Sequence, residues 1–366
     1  MMQYIDRRWR SGHVLSRDRE LLEWQYDPRL VVHGDFAGVT VQLAWQGGTI
    51  VGMLGLTGFV LSHDGIESPG VWLSNWYANP ECRGQNVALR LLWSVQKLGY
   101  EVMATLGANE VSAPIFRSLR FDVLEDLPRW VAVFDAASTA TLLAEIDGQA
   151  ASGAWRGWCD EHLIRSQPAI PGASQLEVLS WTTALAPAWD AFWSAHLAPH
   201  LVGTMRDARY LQWRYVEHPR FAYDVRVARE RRTGSVRGCT VFRVEQVLGR
   251  EEKVLRVVEF LASPDAEACL AVAVAEAGRR HGVSYADFYC SSARGVRGLE
   301  AIGFALETRD GDWPSLPTRL CPLEPGHFAM TIALRGVPAV RGRIGDLQRS
   351  GWLYVTKSDG DQDRPN

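Results

Sequence analysis

The stretch Arg83-Gly84-Gln85-Asn86-Val87-Ala88 carries the most specific chemical pattern in the chain. Gly84 and the small Ala88 let a ligand approach the backbone closely, successive N–H groups at a helix start point outward, and Arg83 adds positive charge. Together they form an anion-binding nest suited to a pyrophosphate. An Arg-Gly pair after a turn can also do no more than start a helix. Cys82 sits at the edge of this loop, but a loop filled by pyrophosphate leaves it little scope as a nucleophile.

The elements that must position this loop are legible from patterning. The strand GVWLSNWYA (70–78) runs into the turn Asn79-Pro80-Glu81-Cys82, and a helix follows through Val87, Ala88, Leu91, Leu92 and Val95 at spacings of 3 and 4. The same order recurs later, as VLRVVEFLA (254–262), Ser263-Pro264-Asp265 and an Ala/Val-rich helix from about 266 to 280. Asp18 to Tyr26, containing Leu22, Trp24 and Tyr26, aligns with Asp207 to Tyr215 at an offset of 189; Ala78 aligns with Ala262 at 184, and Gly99 with Gly282 and Phe121 with Phe304 at 183. The slow drift indicates small loop deletions between two copies of one unit. Each copy predicts an α+β fold with a central sheet. We expect a first unit over 1–135, a helical connector over 136–185, a second unit over 186–340 and a C-terminal tail over 341–366, whose polar end TKSDGDQDRPN (356–366) is expected to be mobile or, alternatively, to reach a ligand. The second copy has Ser-Pro-Asp-Ala-Glu-Ala-Cys-Leu (263–270) where the nest should be, and Asp265 and Glu267 would repel a pyrophosphate. One nest is expected, in the first copy.

Composition excludes several functions. The 366 residues contain 39 Lys and Arg against 42 Asp and Glu, a net charge of −3, so no global basic excess is available for nucleic acid. No stretch approaches about 18 uninterrupted apolar residues and the opening MMQYIDRRWRSGH lacks an apolar leader core, so we expect a cytoplasmic protein without membrane insertion. The six cysteines form no CxxC pair, which speaks against a structural metal. Fifteen tryptophans stand out, since large amphipathic rings line ligand clefts as well as cores.

The loop resembles the acyl-CoA loop of the GCN5-related N-acetyltransferase (GNAT) superfamily, Arg/Gln-x-x-Gly-x-Gly/Ala after a central strand, with Asn86 where a second glycine usually stands. Gly107 to Phe121, including Asn109, Ala113 and Phe116, is similar to the family's Asn-x-x-Ala-x-x-Phe-Tyr-x-x-x-Gly-Phe segment; the family's frequent tyrosine, a proton donor to the leaving thiolate, falls on Arg117. The resemblance implies two tandem GNAT-like domains, each a mixed, mostly antiparallel central sheet flanked by helices. It also implies an acyl-CoA co-substrate, acetyl-CoA or a longer or hydroxylated acyl-CoA, and no metal. The backbone of Trp76, Tyr77 and Ala78 would pair with the pantetheine arm, and Arg83, Gly84, Gln85, Asn86, Val87, Ala88 and Asn109 would complete the donor site.

More finely, WRSGHVLSRDRELLEWQYD, YLQWRYVEHP and the DGDQDRPN ending look like tandem-GNAT proteins of bacterial surface-polysaccharide clusters, including acyltransferases acting on dTDP-linked amino-deoxyhexoses. What this implies is direct attack of a nucleotide-sugar amine on an acyl-CoA thioester for O-antigen or related polysaccharide. The degenerate second copy would then supply the acceptor pocket, with Trp193, His196, Tyr210, Trp213, Arg214, Tyr215 and His218 as its candidate lining. For the Trp/Tyr pair packing is the stronger reading, since both copies carry it. Glu259, Asp287 and Tyr289, on neighbouring strands, are candidates to take the amine proton, or members of a buried hydrogen-bond network. Acyl or aminoacyl transfer to a thiol-precursor or peptidoglycan-precursor amine, and non-catalytic binding of CoA or a sugar, are the competing readings.

Overall fold

A computed structural model describes the chain except residues 37, 148–152, 165–174, 308–315, 322, 325–326, 339 and 364–366. Its first sheet holds β1 (Val41–Gln46), β2 (Thr49–His63), β3 (Ile66–Ala78), β4 (Val102–Ala108) and β5 (Asp122–Leu124), joined by the later strands β8 (Val202–Thr204), β16 (Thr331–Arg335) and β17 (Leu353–Tyr354). The order is β17-β8-β2-β3-β4-β16-β5, with β1 also on β2. The second sheet holds β6 (Arg129–Val133), β7 (Leu176–Ser180), β9 (Asp224–Glu230), β10 (Val236–Gln246), β11 (Lys253–Ala262), β12 (Tyr285–Tyr289) and β13 (Ala305–Leu306). Its order is β13-β6-β12-β11-β10-β9-β7, and a short hairpin, β14 (Arg319–Leu320) with β15 (Leu323–Glu324), stands apart.

Two copies of one α+β unit are therefore present, as the repeat predicts. β3 pairs with β4 in parallel, Gly70 opposite Val102, and β11 pairs with β12 in parallel, Val254 opposite Tyr285, so the repeat offsets of 184 and 183 preserve the register. The two LxWxY segments meet across the seam: Trp24 stacks on its counterpart Trp213 with ring centroids 5.1 Å apart, and its indole N–H donates to the Trp213 carbonyl. The helices Val87–Gln96 and Glu267–His281 occupy matching positions after β3 and β11, each burying its apolar stripe on its own sheet.

The boundaries differ from the expected ones. β6, inside the expected first unit, is the penultimate strand of the second sheet, between β12 and β13; β16, inside the expected second unit, lies between β4 and β5 in the first. β8, also inside the expected second unit, lies on β2 with β17 beyond it, so the halves exchange strands in both directions and neither sheet is complete alone. Apolar alternation identifies a strand but not its partner, which is why cuts at 135 and 340 look natural in the sequence. The connector does contain helices, Ala136–Asp147 and Gly153–Glu161, but Leu176–Ser180 is an edge strand of the second sheet. Pro168, Pro171 and Gly172 lie outside the described residues.

The C-terminal segment corrects a second expectation. Thr356, Lys357, Ser358, Asp359, Asp361 and Asp363 are all buried. The polar side chains of this segment are drawn inside by buried arginines: Arg206 Nη2 lies 2.6 Å from Asp359 and Arg243 Nη2 2.9 Å from Asp363. No described helix is long and apolar enough to cross a membrane.

Candidate functional site

Backbone pairing between β3 and β4 stops at Trp72 and Ala104. Beyond that point the strands diverge into a V: β3 stays on β2 while β4 is held by β16 on its other edge. A bulge helps β3 turn away, because Leu54 alone faces Asn75 and Trp76, and Asn75 adopts φ 51°. The Asn75 side chain donates to the Tyr26 hydroxyl, which also lies 2.9 Å from Ser74 Oγ, tying the bulge to the LxWxY helix.

The V opens into a cleft of about 970 Å³. Leu73, Ser74, Asn75 and Trp76 line one arm, and Thr105 to Ser112 with Phe116 the other. Trp76 reaches across to Phe116, ring centroids 5.3 Å apart, and its indole N–H donates to the Ala88 carbonyl at 2.9 Å. That bond fixes the expected loop at the mouth of the V. Within the loop Gly84 takes φ +83°, where an added Cβ would meet nothing within 4 Å, and Asn86 takes φ 55° as N-cap of the helix from Val87. The left-handed turn at Asn86 is the conformation a second glycine would serve. No side chain caps this helix, and Arg83, Gly84, Gln85 and Asn86 are exposed. Its first N–H groups are therefore presented outward.

Of the ten residues expected at the donor site, Trp76, Ala88 and Asn109 line the cleft, and Gln85 and Asn86 line a hollow of about 390 Å³ at the same helix start with Arg90, Trp93 and Lys97. Tyr77 points elsewhere, its hydroxyl donating to the Arg8 carbonyl at 2.6 Å. Asn109 closes a turn, its Oδ1 accepting from the N–H groups of Val111 and Ser112. Arg117 is paired with Glu125.

The residues expected on the acceptor side lie elsewhere. None of Trp193, His196, Tyr210, Trp213, Arg214, Tyr215 and His218 lines the cleft. Trp193 and Tyr215 are core residues, Arg214 is buried against the Ser358 carbonyl, His218 is buried at the seam against Trp24 and His196 is exposed beside Phe192. Glu259 is fully buried and saturated, accepting from Arg206 (2.9 Å), Tyr215 (2.6 Å), Tyr354 (2.9 Å) and Ser358 (3.2 Å). Asp287 is clamped by Arg129 (2.6 Å) and Arg256 (3.0 Å), and the Tyr289 hydroxyl lies 3.3 Å from Thr318 Oγ1. Burial raises the Asp287 carboxyl, but Arg256 and Arg129 outweigh it and hold the pKa below the ordinary carboxylate value. These three build the interior rather than face the cleft.

The second half contributes a different set. Arg243, Glu245 and Arg256 project from β10 and β11 into the cleft, joined by Thr318, Arg319 and His327 and, from the C-terminal segment, Lys357, Asp361 and Gln362. Glu245 lies 3.1 Å from Arg243 and is also bonded to Arg256; burial opposes its charge, but the two arginines and Lys357 keep its pKa low. Burial, reinforced by Arg256, pushes Lys357 down to about 7. Gln362 donates to the Leu106 carbonyl at 3.0 Å and closes the base of the V, where Gly107 at φ +86° leaves it room: a Cβ there would stand 2.7 Å from Gln362 Nε2. The sequence held a usable signal for two of these, since an arginine inside an apolar strand, as in VFRVE and VLRVVEF, needs a buried partner. Among the described residues no group of three or more potential metal ligands occurs.

No protein-family model matches the chain, and no curated protein sequence matches it. Solved structures do. A GCN5-related N-acetyltransferase from Anabaena variabilis matches at TM-score 0.51 and 12% identity over 82% of this chain and 63% of its own. A conserved protein of unknown function from Enterococcus faecalis, described as a probable N-acyltransferase, matches at 0.47 and 12% over 79% of this chain and 60% of its own. The chain thus spans about three fifths of the length of these structures. The Anabaena likeness shows the GNAT-type fold, in agreement with the duplicated sheets and their V.

Proposed function

We propose that the chain is an acyl-CoA-dependent N-acyltransferase. The observation that carries this is the open V with the uncapped Arg83–Ala88 loop fixed at its mouth by Trp76. The ladder between β3 and β4 ends at Trp72, and the β3 edge beyond it suits an extended amide-bearing arm added as a strand. The loop's N–H groups and Arg83 suit its pyrophosphate. The thioester then lies between the arms, with the acceptor entering from the side lined by β10, β11 and the C-terminal segment. The amine attacks the thioester carbon directly, the C–N bond forms, the C–S bond breaks and CoA leaves as the thiolate. Positioning and backbone donors aimed at the developing oxyanion supply most of the rate.

For the acceptor we propose the amino group of a nucleotide-linked amino-deoxy sugar. What supports this is the polar, mixed-charge wall opposite the V, with the half-exposed Arg10 and Arg319 sharing Glu324 at its rim, where phosphates would meet guanidinium forks. The test is release of free CoA from a panel of acyl-CoAs offered with dTDP- and UDP-linked amino sugars, peptidoglycan-precursor amines and thiol-precursor amines. Turnover with a sugar nucleotide above the other amines is expected. Turnover confined to the other classes overturns the acceptor, and absence of CoA binding by calorimetry overturns the donor site as well.

A further inference from the structure

The end of the first sheet where the V opens brings together polar side chains with no role so far. β16 runs antiparallel to β4 with Thr331 opposite Ala108, so the residues leading into β16 stand at that end. His327, Thr318 and Thr331 all line the cleft. Behind His327 lies Asp126, in the turn after β5, with its two carboxylate oxygens 3.1 and 2.9 Å from Nε2. Asp126 also accepts the Met330 N–H at 3.0 Å, which locks it to the start of β16. A carboxylate only accepts, so Nε2 carries the proton and Nδ1 presents a lone pair. Nδ1 faces Thr318 Oγ1 at 3.4 Å, long for a hydrogen bond and open to replacement by a stronger donor.

Resting on the acyl-transfer reading above, we propose that His327 takes the proton of the acceptor amine and that Asp126 is the positioning residue that sets its tautomer and stabilises the imidazolium. An alkylamine is mostly protonated at neutral pH and must lose a proton before its lone pair can attack. The ammonium gives its first proton to solvent; the nitrogen lone pair then forms the C–N bond, a second N–H proton passes to Nδ1, and the C–S bond breaks with its electron pair on sulfur, which takes a proton from solvent. The other cleft groups serve this less well. Glu245 is clasped between two arginines, and Lys357 donates to the Thr318 carbonyl at 3.3 Å over the Tyr289 ring. Ionisable groups near the pair include Tyr289 through Thr318, Arg256 and Lys357 on the Thr318 carbonyl, and Arg319 over the ring of Phe328.

The test is the pH profile of kcat/KM for the full chain with acetyl-CoA and glucosamine as probes, beside calorimetric CoA binding. His327→Gln should lower kcat/KM by roughly 100-fold or more and remove the acidic limb with CoA affinity unchanged. Asp126→Asn should move that limb to lower pH, and added imidazole should restore part of the rate of His327→Ala but not raise the wild type. An unchanged rate and limb in His327→Gln, or a limb that disappears only in Lys357→Met, overturns the proposal while leaving the donor site standing. Loss of CoA binding by the wild type overturns the donor site instead. Should glucosamine not turn over, ¹⁵N-histidine NMR decides: Nδ1 of His327 bare at pH 8, with a titration lowered in Asp126→Asn, supports the pair, and Nδ1 protonated at pH 8 overturns it.

Discussion

The ladder of the second sheet runs one residue pair further than that of the first, to Val257 and Phe288, before its strands part, yet one V is open and the other is filled by the chain itself. In the second sheet the Ser291 N–H donates to the Val355 carbonyl at 2.9 Å, the Val355 N–H donates to Ser291 Oγ at 2.8 Å, and the Phe260 N–H donates to the Tyr354 hydroxyl at 3.0 Å. The C-terminal segment thus bonds both arms, where an extended ligand would lie in the first sheet. A splayed strand pair exposes backbone groups that must find partners or water. In the first half the ladder stops with the cleft open, and the second half satisfies these groups internally. What this teaches is that the two copies differ in what occupies the V as well as in the loop beside it.

The largest expected effect tests how firmly that occupant is held. Arg206 is fully buried between Glu259 and Asp359, at 2.9 and 2.6 Å, and also donates to the Thr204 carbonyl. Arg206→Met strands two carboxylates in a closed interior and should cost about 3–5 kcal/mol of stability, read from urea denaturation. A cost under about 1 kcal/mol would mean that the segment is loosely seated and the second V is only nominally closed. The open V predicts the reverse pattern. Gly84→Glu adds charge and bulk to the nest and meets no neighbour, while the φ of +83° strains a non-glycine residue, so CoA affinity should fall about 100-fold, near 2.7 kcal/mol, with stability lowered by about 1–2 kcal/mol. Calorimetry and denaturation of the same preparation separate the two, and unchanged CoA affinity would remove the loop from the site.

The sequence carried the architecture because apolar periodicity and a repeat are written residue by residue. The two copies and the helix after the strand of each follow from them; the V and the stacking of Trp24 on Trp213 do not. It carried the left-handed Gly84–Asn86 turn before a helix, because such a turn needs residues that tolerate positive φ at fixed spacing. It did not carry the polar wall opposite the V. Arg243, Glu245 and Arg256 point the same way only because β10 and β11 pair in one register, and Lys357 and Asp361 come from a tail whose polarity suggested solvent. Arg214 and Tyr215 looked like ligand contacts for the same reason: polar groups in a buried ion-pair network and polar groups facing a ligand have one composition and differ only in what lies opposite.

The smallest effect concerns the seam, where matching positions again have different fates. Arg29 is exposed in the first half, while His218, at the offset of 189, is buried against Trp24 and stacked on Phe221. Its Nδ1 accepts from the N–H groups of Arg220 and Phe221 at 3.1 and 2.9 Å, and Nε2 is buried with no hydrogen-bond partner among the described residues, so the ring is held neutral. Burial first, then Arg214, pushes its pKa down to about 3. The unfolded chain, with a histidine near 6.5, then binds the proton that the folded chain refuses, so stability contributed by this group is complete above about pH 6.5 and drains away as pH falls toward 3. At pH 5 the loss should be about 2 kcal/mol relative to pH 7.5. In His218→Phe this part of the pH dependence should vanish while the acid loss from the paired carboxylates at lower pH persists. A variant that lost stability between pH 7.5 and 5 as steeply as the wild type would place the seam's proton sensitivity elsewhere, and would make the two halves more alike than their burial indicates.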